Sequence, residues 1–359
     1  MKFLKNKRNI ILLILVFFST IALIFTNNNY SFYKDEIVKV TDIKIKQTDE
    51  SSNSLGLTEK YYTETITGTI MNGKSKGNKI KLVNEYTYSS VVTEKYKIGD
   101  KVFIDMGEIK GLKRDFYVVL MIVIFVIMMF LVGSFRGLGA IVSVIINTAL
   151  FYFGLELYFK GMNLLVLCLL ESIIFTIFSL IISNGKNKKT LAAIISVFIS
   201  MFILLVMTLI IVLITDYSGI SFNEMSFITV PVEDVFIAEL MIGGLGAIMD
   251  VSITMSSSIA ELVEQNNKIT IKELKKSGKE IGKDIMGTMI NVLFFTYLCS
   301  GLPLFVLALR NGFSLYNYIN TNVSLEMARF LIGSIGIVLT IPISLFIAIK
   351  VLKRSDNNE

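Results

Sequence analysis

Apolar residues in this chain fall in long unbroken runs, and the polar residues gather in the gaps between them. The first run extends from Ile10 to about Phe25, and a polar stretch reaching Arg114 follows it. Seven more runs occupy roughly 116–133, 138–158, 162–183, 191–215, 235–257, 285–308 and 329–350. Each approaches the ~20 residues that a helix needs to cross the hydrocarbon core of a bilayer. The polar stretch has a different rhythm. From Ile37 to Ile45 apolar and polar residues largely alternate, the period-2 signature of a half-buried strand. Tyr62 to Ile70, Lys79 to Leu82 and Lys101 to Ile104 are further strand candidates. Turn signals at Asn72-Gly73, Gly77-Asn78 and Gly99-Asp100 punctuate them.

The pattern predicts an α-helical polytopic membrane protein of about eight transmembrane helices with a small extracytoplasmic β-domain. The β-domain is expected to have about five strands and a barrel-like shape. The expected divisions are an anchor over 1–29, the β-domain over 30–115, a seven-helix membrane domain over 116–354 and a tail over 355–359. The first run lacks a small-x-small cleavage site, since Thr26-Asn27-Asn28-Asn29-Tyr30 follows it. It therefore reads as an uncleaved span and not as a signal peptide.

Composition supports a membrane setting. Hydrophobic residues make up 53% of the chain and charged residues 18%. Soluble domains carry about 25% charged residues. The formal charge of +6 does not point to nucleic acid, because the basic residues sit between apolar runs, where they report topology. Lys2, Lys5, Lys7 and Arg8, then Arg136, Lys186, Lys188 and Lys189, then Lys268 to Lys283, then Lys350, Lys353 and Arg354 all fall on one side of the predicted topology. The opposite short loops carry only Lys160, Arg310 and Arg329. The positive-inside rule therefore expects a cell-membrane protein with both termini in the cytoplasm and the β-domain outside. Lys110, Lys113 and Arg114 run against the rule, within a long translocated stretch where it weakens. The chain has no histidine, which removes Ser/His and Cys/His catalysis. Cys168 and Cys299 both lie in apolar runs, so neither a disulfide framework nor a zinc site is readable. No cofactor or metal is expected, and no enzyme activity.

The candidate chemistry sits in the run 235–257. Ile242-Gly243-Gly244-Leu245-Gly246-Ala247-Ile248-Met249-Asp250 places one carboxylate behind a glycine-rich segment. An ionisable residue inside a span is expensive and marks a functional site by default. At helical spacing Gly243, Gly246 or Ala247, Asp250 and Thr254 share a face, and small residues there let another helix approach. The Gly-Gly-x-Gly segment follows no strand, so it is not a dinucleotide fingerprint. Asp284, Thr288 and Asn291, with Gly287 beside them, form a second stripe on the next span. Counting ~1.5 Å per residue puts Asp250 and Asn291 both ~10 Å from the cytoplasmic surface, so an antiparallel pair of helices would bring them level. Three readings stay open for Asp250: a structural polar pair, a proton or cation relay, or direct substrate binding. Glu171 is the best second relay candidate, while Glu156 and Glu239 fall nearer the outer surface and are weaker. The stretch Glu261 to Lys283, of mixed charge, reads as a solvated amphipathic helix. Pro303 and Pro342 are expected to kink their helices.

Gly244-Leu245-Gly246-Ala247-Ile248-Met249-Asp250-Val251 and Lys283-Asp284-Ile285-Met286-Gly287-Thr288-Met289-Ile290-Asn291 resemble the signature of YibE/F-like multi-pass membrane proteins. The resemblance extends over the membrane region from about Phe116, the first span and the outer domain, and it implies architecture more than activity. The glycine-rich run, Asp250 and Ile259-Ala260-Glu261 are also similar to the fourth span of proton-driven RND exporters and SecD-type proteins. Two extra spans and a small outer domain set this chain apart from them. Together these features lead to the expectation of an ion-coupled permease or exporter of a small solute or ion, working within the lipid bilayer. Asp250 would carry the coupling, with Thr288 and Asn291 as its partners. The alternative is a non-transporting scaffold whose outer β-domain binds a protein partner, with an intramembrane enzyme as a distant third.

Overall fold

The computed structural model describes residues 7–52, 56, 58–90 and 93–353, and for Glu224 the backbone alone. Lys2, Lys5, Arg354 and the tail 355–359, all used in the topology argument or the divisions above, lie outside the described residues. The chain divides into two compact units, Met1–Ser134 and Phe135–Glu359.

The first unit begins with helix α1 (Lys7–Asn28) and continues into five strands: β1 (Glu36–Ser52), β2 (Thr58–Ile70), β3 (Lys79–Thr87), β4 (Lys101–Asp105) and β5 (Glu108–Leu112). They form one antiparallel sheet in the order β3-β2-β1-β4-β5. The sheet curls as the expected barrel-like shape requires: β3 and β5, its two edges, come close to each other, with no ladder between them among the described residues. Strand alternation sends every second side chain to the same face, and Val38, Val40, Ile66, Leu82, Val102 and Ile104 meet in one core. Register shifts in β1 between Val40 and Asp42 and between Gln47 and Asp49 interrupt that alternation. Beyond them the last residues of β1 and the first of β2, 49–52 and 58–60, run on as a polar two-stranded ribbon. The sequence pattern does not announce β5. It follows β4 through Met106 and Gly107, both at positive φ, as a type I′ hairpin requires.

A buried lysine ties this unit together. The Lys113 ammonium is 1% exposed and sits 2.6 Å from Asp115. It also donates to the Thr26 carbonyl at 2.8 Å, and it lies 5.2 Å from the centre of the Tyr33 ring. Asp115 accepts further bonds from Asn29 Nδ2 and the Tyr33 hydroxyl. Burial pushes the Tyr33 phenol up, and its bond to Asp115 acts in the same direction. The end of α1, the approach to β1, the end of β5 and the start of α2 therefore share one polar knot. Asn72 makes a second one, accepting from the Ile37 amide and donating to the carbonyls of Tyr30, Tyr33 and Asp35. The three basic residues that run against the topology rule all have partners: Lys113 with Asp115, Arg114 with Glu94, and Lys110 with Asp35 and Asp105.

Helix α2 (Asp115–Phe159) runs for 45 residues. At about 1.5 Å per residue this is ~68 Å of helix, about twice the thickness of a bilayer core. It contains a non-helical residue, Ser134, with φ 51° and ψ −131°. The two apolar runs therefore lie on either side of a kink within one element, with no loop between them. The described residues thus hold seven helices long and apolar enough to cross a membrane, where eight separate spans were expected.

The second unit continues with α3 (Leu164–Asn184), α4 (Lys188–Thr215), α5 (Val232–Gln265), α6 (Ile271–Arg310), α7 (Leu315–Tyr318) and α8 (Ser324–Lys353). A π turn over Ile319–Val323 joins α7 to α8. Side chains cap several of these helices, satisfying their unpaired N–H groups. Asn163 accepts from Leu165 and Val166, Asn187 accepts from Thr190, and Thr270 forms a capping box with Glu273. The expected amphipathic helix over 261–283 is corrected to two pieces: α5 carries on to Gln265, and α6 starts at Ile271. Pro303 and Pro342 lie inside unbroken helices.

Helix α5 is the most buried of the spans, packed against α3, α4, α6 and α8. Leu204 of α4 wedges between Gly244 of α5 and Gly336 of α8, where a Cβ would come within 3.3 and 3.1 Å of it. Ser344 donates to Ser252 at 3.2 Å, tying α8 to α5 in a fully buried contact. Gly278 and Gly282 let α6 sit close on Leu345 and Ile341 of α8.

The packing leads to three stability predictions. Lys113→Met strands Asp115 without its cation and is expected to cost about 3–5 kcal/mol, most of it regained in Lys113→Met/Asp115→Leu. Thermal unfolding of the full chain in lipid nanodiscs reads the difference, and equal melting of the single and double variants would refute the pairing. Gly278→Val drives a side chain into Leu345 and is expected to cost about 1–3 kcal/mol. Gly246 faces open space. Gly246→Ala is expected to gain up to about 1 kcal/mol in the same assay.

Candidate functional site

Helix α5 presents one open face, along which Glu239, Gly243, Gly246, Asp250 and Thr254 recur at helical spacing. Its other faces are closed by α4 and α8 on one side and by part of α6 on another. Glycine contacts fix the level of α5 against the antiparallel α6. A Cβ on Gly278 would lie 3.2 Å from Ile259, one on Gly282 4.0 Å from Met255, and one on Gly243 3.1 Å from the Tyr297 hydroxyl. Asp250 is therefore level with Gly287 and Thr288, in agreement with the count of residues. No bond joins them. The Thr288 hydroxyl donates to the Asp284 carbonyl at 3.1 Å, and Asn291 Nδ2 donates to the Gly287 carbonyl at 3.0 Å. Asp250 is exposed, and no described residue forms a hydrogen bond or ion pair with its side chain. Asp284 is exposed as well. Of the small residues expected at helix contacts, Gly243 faces Tyr297, Gly244 faces Leu204 and Ala247 packs with the α6 and α8 side chains. Gly246 and Gly287 meet nothing within 4 Å.

About three turns away on α5, towards its N-terminal end, the same open face meets a cavity of about 530 Å³. Its lining includes Glu171 of α3, Glu239 and Gly243 of α5, Tyr297 of α6, and Glu326 and Arg329 of α8. Arg329 is 11% exposed and bridges two helices, pairing with Glu239 of α5 and, at 2.7 Å, with Glu326 one turn back on α8. The planar guanidinium suits this two-sided role, since its fork offers several donors at fixed angles. Three carboxylates and one guanidinium leave the lining two formal negative charges in excess.

Glu171 is the odd member of the group. It is 7% exposed, and its Oε1 is buried without a partner. Gly154 of α2 lies directly against that oxygen, so any side chain there would strike it. Glu326 Oε2 and Arg329 Nε are likewise buried and unpartnered. Native proteins leave few such atoms, and each calls for an explanation in function or bound water. Among the described residues no group of three or more Cys, Asp or Glu side chains is disposed to hold a metal ion.

Sequence reasoning reaches Glu171 but misses the cluster around it. Arg329 counts there only as a loop charge, Glu239 ranks as weak, and Glu326 goes unnoticed. A signal for them exists. Glu326 and Arg329 stand at i, i+3 where a largely apolar run begins, and Glu239 is an acid inside the apolar part of α5. Residues three apart are neighbours on a helix surface.

Similarity to known proteins is confined to the family level. No curated protein and no solved structure matches the chain. The N-terminal domain of the YibE/F family matches residues 31–115, the segment that holds the sheet. The YibE/F-like protein family matches residues 121–354, well over half of the chain and all of the helices that line the cavity. The chain belongs to the YibE/F-like family of membrane proteins.

Proposed function

We propose that this protein is an ion-coupled permease, with Glu171 as the residue that carries the coupling proton. The observation that carries the reading is the buried, unpartnered Glu171 oxygen in a cavity whose arginine is already committed to two other carboxylates. A group that binds a proton needs no ligand set, only a carboxylate with access and few competing bonds. The excess negative charge around it favours protons and cations over anions. The cavity is large enough for a small solute, and Arg329 provides a switchable contact. Gain or loss of charge on Glu171 alters the field at the guanidinium, strongly so in low dielectric. Asp250 is the second station in this scheme. It stands on the same face of α5 as Glu239, with glycines and other small side chains along that face between them. The separation is ~16 Å along the helix axis. The lysine-rich loops support a cytoplasmic placement of both termini, which puts the cavity towards the outside and Asp250 towards the cytoplasm.

Carbodiimide labelling tests the proposal, because the reagent modifies protonated carboxyls. In full-length protein in nanodiscs, Glu171 is expected to label in a pH-dependent manner, read by peptide mass spectrometry, with Glu171→Gln as the blank. Arg329→Gln is expected to shift that dependence, and Gly154→Val to abolish it by displacing the carboxylate. Glu171 labelling that stays flat with pH, while exposed carboxylates of the sheet label, would sink the proton-carrier role.

A further inference from the structure

A second large groove lies far from the carboxylate cavity, between the N-terminal part of α6 and the C-terminal half of α8. Its volume is about 1170 Å³. Two chemistries face each other across it. Lys275, Lys276, Lys279 and Lys283 line the α6 wall, Lys350 and Lys353 of α8 close one end, and the one acid on this rim, Glu280, is paired with Lys283 at 2.9 Å. The opposite wall is apolar, with Ile349, Phe346, Leu345, Pro342 and Val338 of α8, and Met286 of α6 continues it beyond Lys283. Gly278 and Gly282 meet Leu345 and Ile341, so Lys279 and Lys283 stand level with this apolar wall. Val338 and Phe346 are exposed, and the Lys350 ammonium sits 6.0 Å above the Phe346 ring. From Lys353 to Val338 the groove follows ~22 Å of helix, longer than the ~15 Å depth of one hydrocarbon leaflet.

We infer that this groove is a binding site for an acidic phospholipid. The pairing of a basic wall and end with a long apolar wall is the argument. A soluble anion would need the lysines but not the long apolar wall. A neutral lipid would use the apolar wall but gain nothing from a rim of six lysines with a formal excess of five positive charges. A phosphodiester headgroup joined to acyl chains uses both at once. Basic pockets between spanning helices, at the membrane boundary, have the chemistry that acidic headgroups require. The close approach of α6 to α8 at Gly278 and Gly282 sets the groove's depth, because each glycine leaves the α8 side chains room to form the apolar wall. A bound lipid would stitch α6 to α8 along an edge where side chains alone leave them apart.

The test uses the delipidated full-length chain in detergent, to which phosphatidylglycerol, phosphatidylcholine or inorganic phosphate is added. Melting temperature and lipid retained in native mass spectra are measured. Phosphatidylglycerol is expected to raise the melting temperature and remain bound, while phosphatidylcholine and phosphate alone do neither. Lys275→Gln/Lys279→Gln/Lys350→Gln is expected to bind phosphatidylglycerol on the order of a hundredfold more weakly, and the matching triple arginine variant to bind it as the wild type does. Equal stabilisation by phosphatidylcholine would reduce the site to an apolar groove. A full effect from phosphate alone would make it a free-anion site. Either result overturns the inference, as does a glutamine variant that holds the lipid undiminished. The comparison among the three additives needs no variant, so it decides even where the glutamine variant fails to fold.

Discussion

A charge removed from water must find a partner or lose its place, and both units of this protein are built around that requirement. Desolvating one ion costs several kcal/mol even after the protein relaxes. In the first unit Lys113 is almost wholly buried, and Asp115, the Thr26 carbonyl and the Tyr33 ring surround it. In the second unit Arg329 is held between Glu239 and Glu326. Each cation joins segments that are distant in sequence, so the cost of burial is offset by contacts that also define which elements lie together. The groups left unsatisfied stand out against that background. Glu171, whose Oε1 is buried with no hydrogen-bond partner, is the clearest case in the second unit.

Helix α5 connects these two situations. Leu204, Gly336 and Ser344 close one side of it, where the packing is dense and the polar groups are paired or small. The opposite side is sparse, with glycines spaced between Glu239 and Asp250. Dense packing resists small displacements, whereas a face of glycines costs little to cover or uncover. The helix thus has one densely packed side that preserves its position and one side where small and exposed residues leave its surface open.

Much of this architecture is legible in the chain. The apolar runs locate the helices, and alternation from Ile37 marks the sheet. What escapes depends on distance. Glu239 and Arg329 are ninety residues apart, and nothing local says that α5 and α8 lie side by side. Asp250 is legible as a rare acid, yet its exposure is not, because which face of α5 closes is decided by α4 and α8. Lys113 looks like an exception to charge topology, and only its burial explains it. Strand order, unlike strand position, is likewise a long-range property. Ser134 shows the opposite limit. The interruption between two runs is visible, but a helix continuing on both sides of a single non-helical residue leaves no pattern distinct from a loop.

The knot at Lys113 also has a consequence in time. Its partners include Thr26 and Asp115, so no part of it can close until nearly ninety further residues have been made. At roughly 5–20 residues per second, synthesis of that stretch takes about 5–20 s. For about a third of that interval, from the completion of β2 to the start of β4, β1 can pair with β2 but not with β4, and one edge of the growing sheet stays open to other chains. The residue that ends the wait, Asp115, is also the first residue of α2. Asp115 therefore belongs both to the knot that ties the ends of the sheet together and to the first turn of the next long helix.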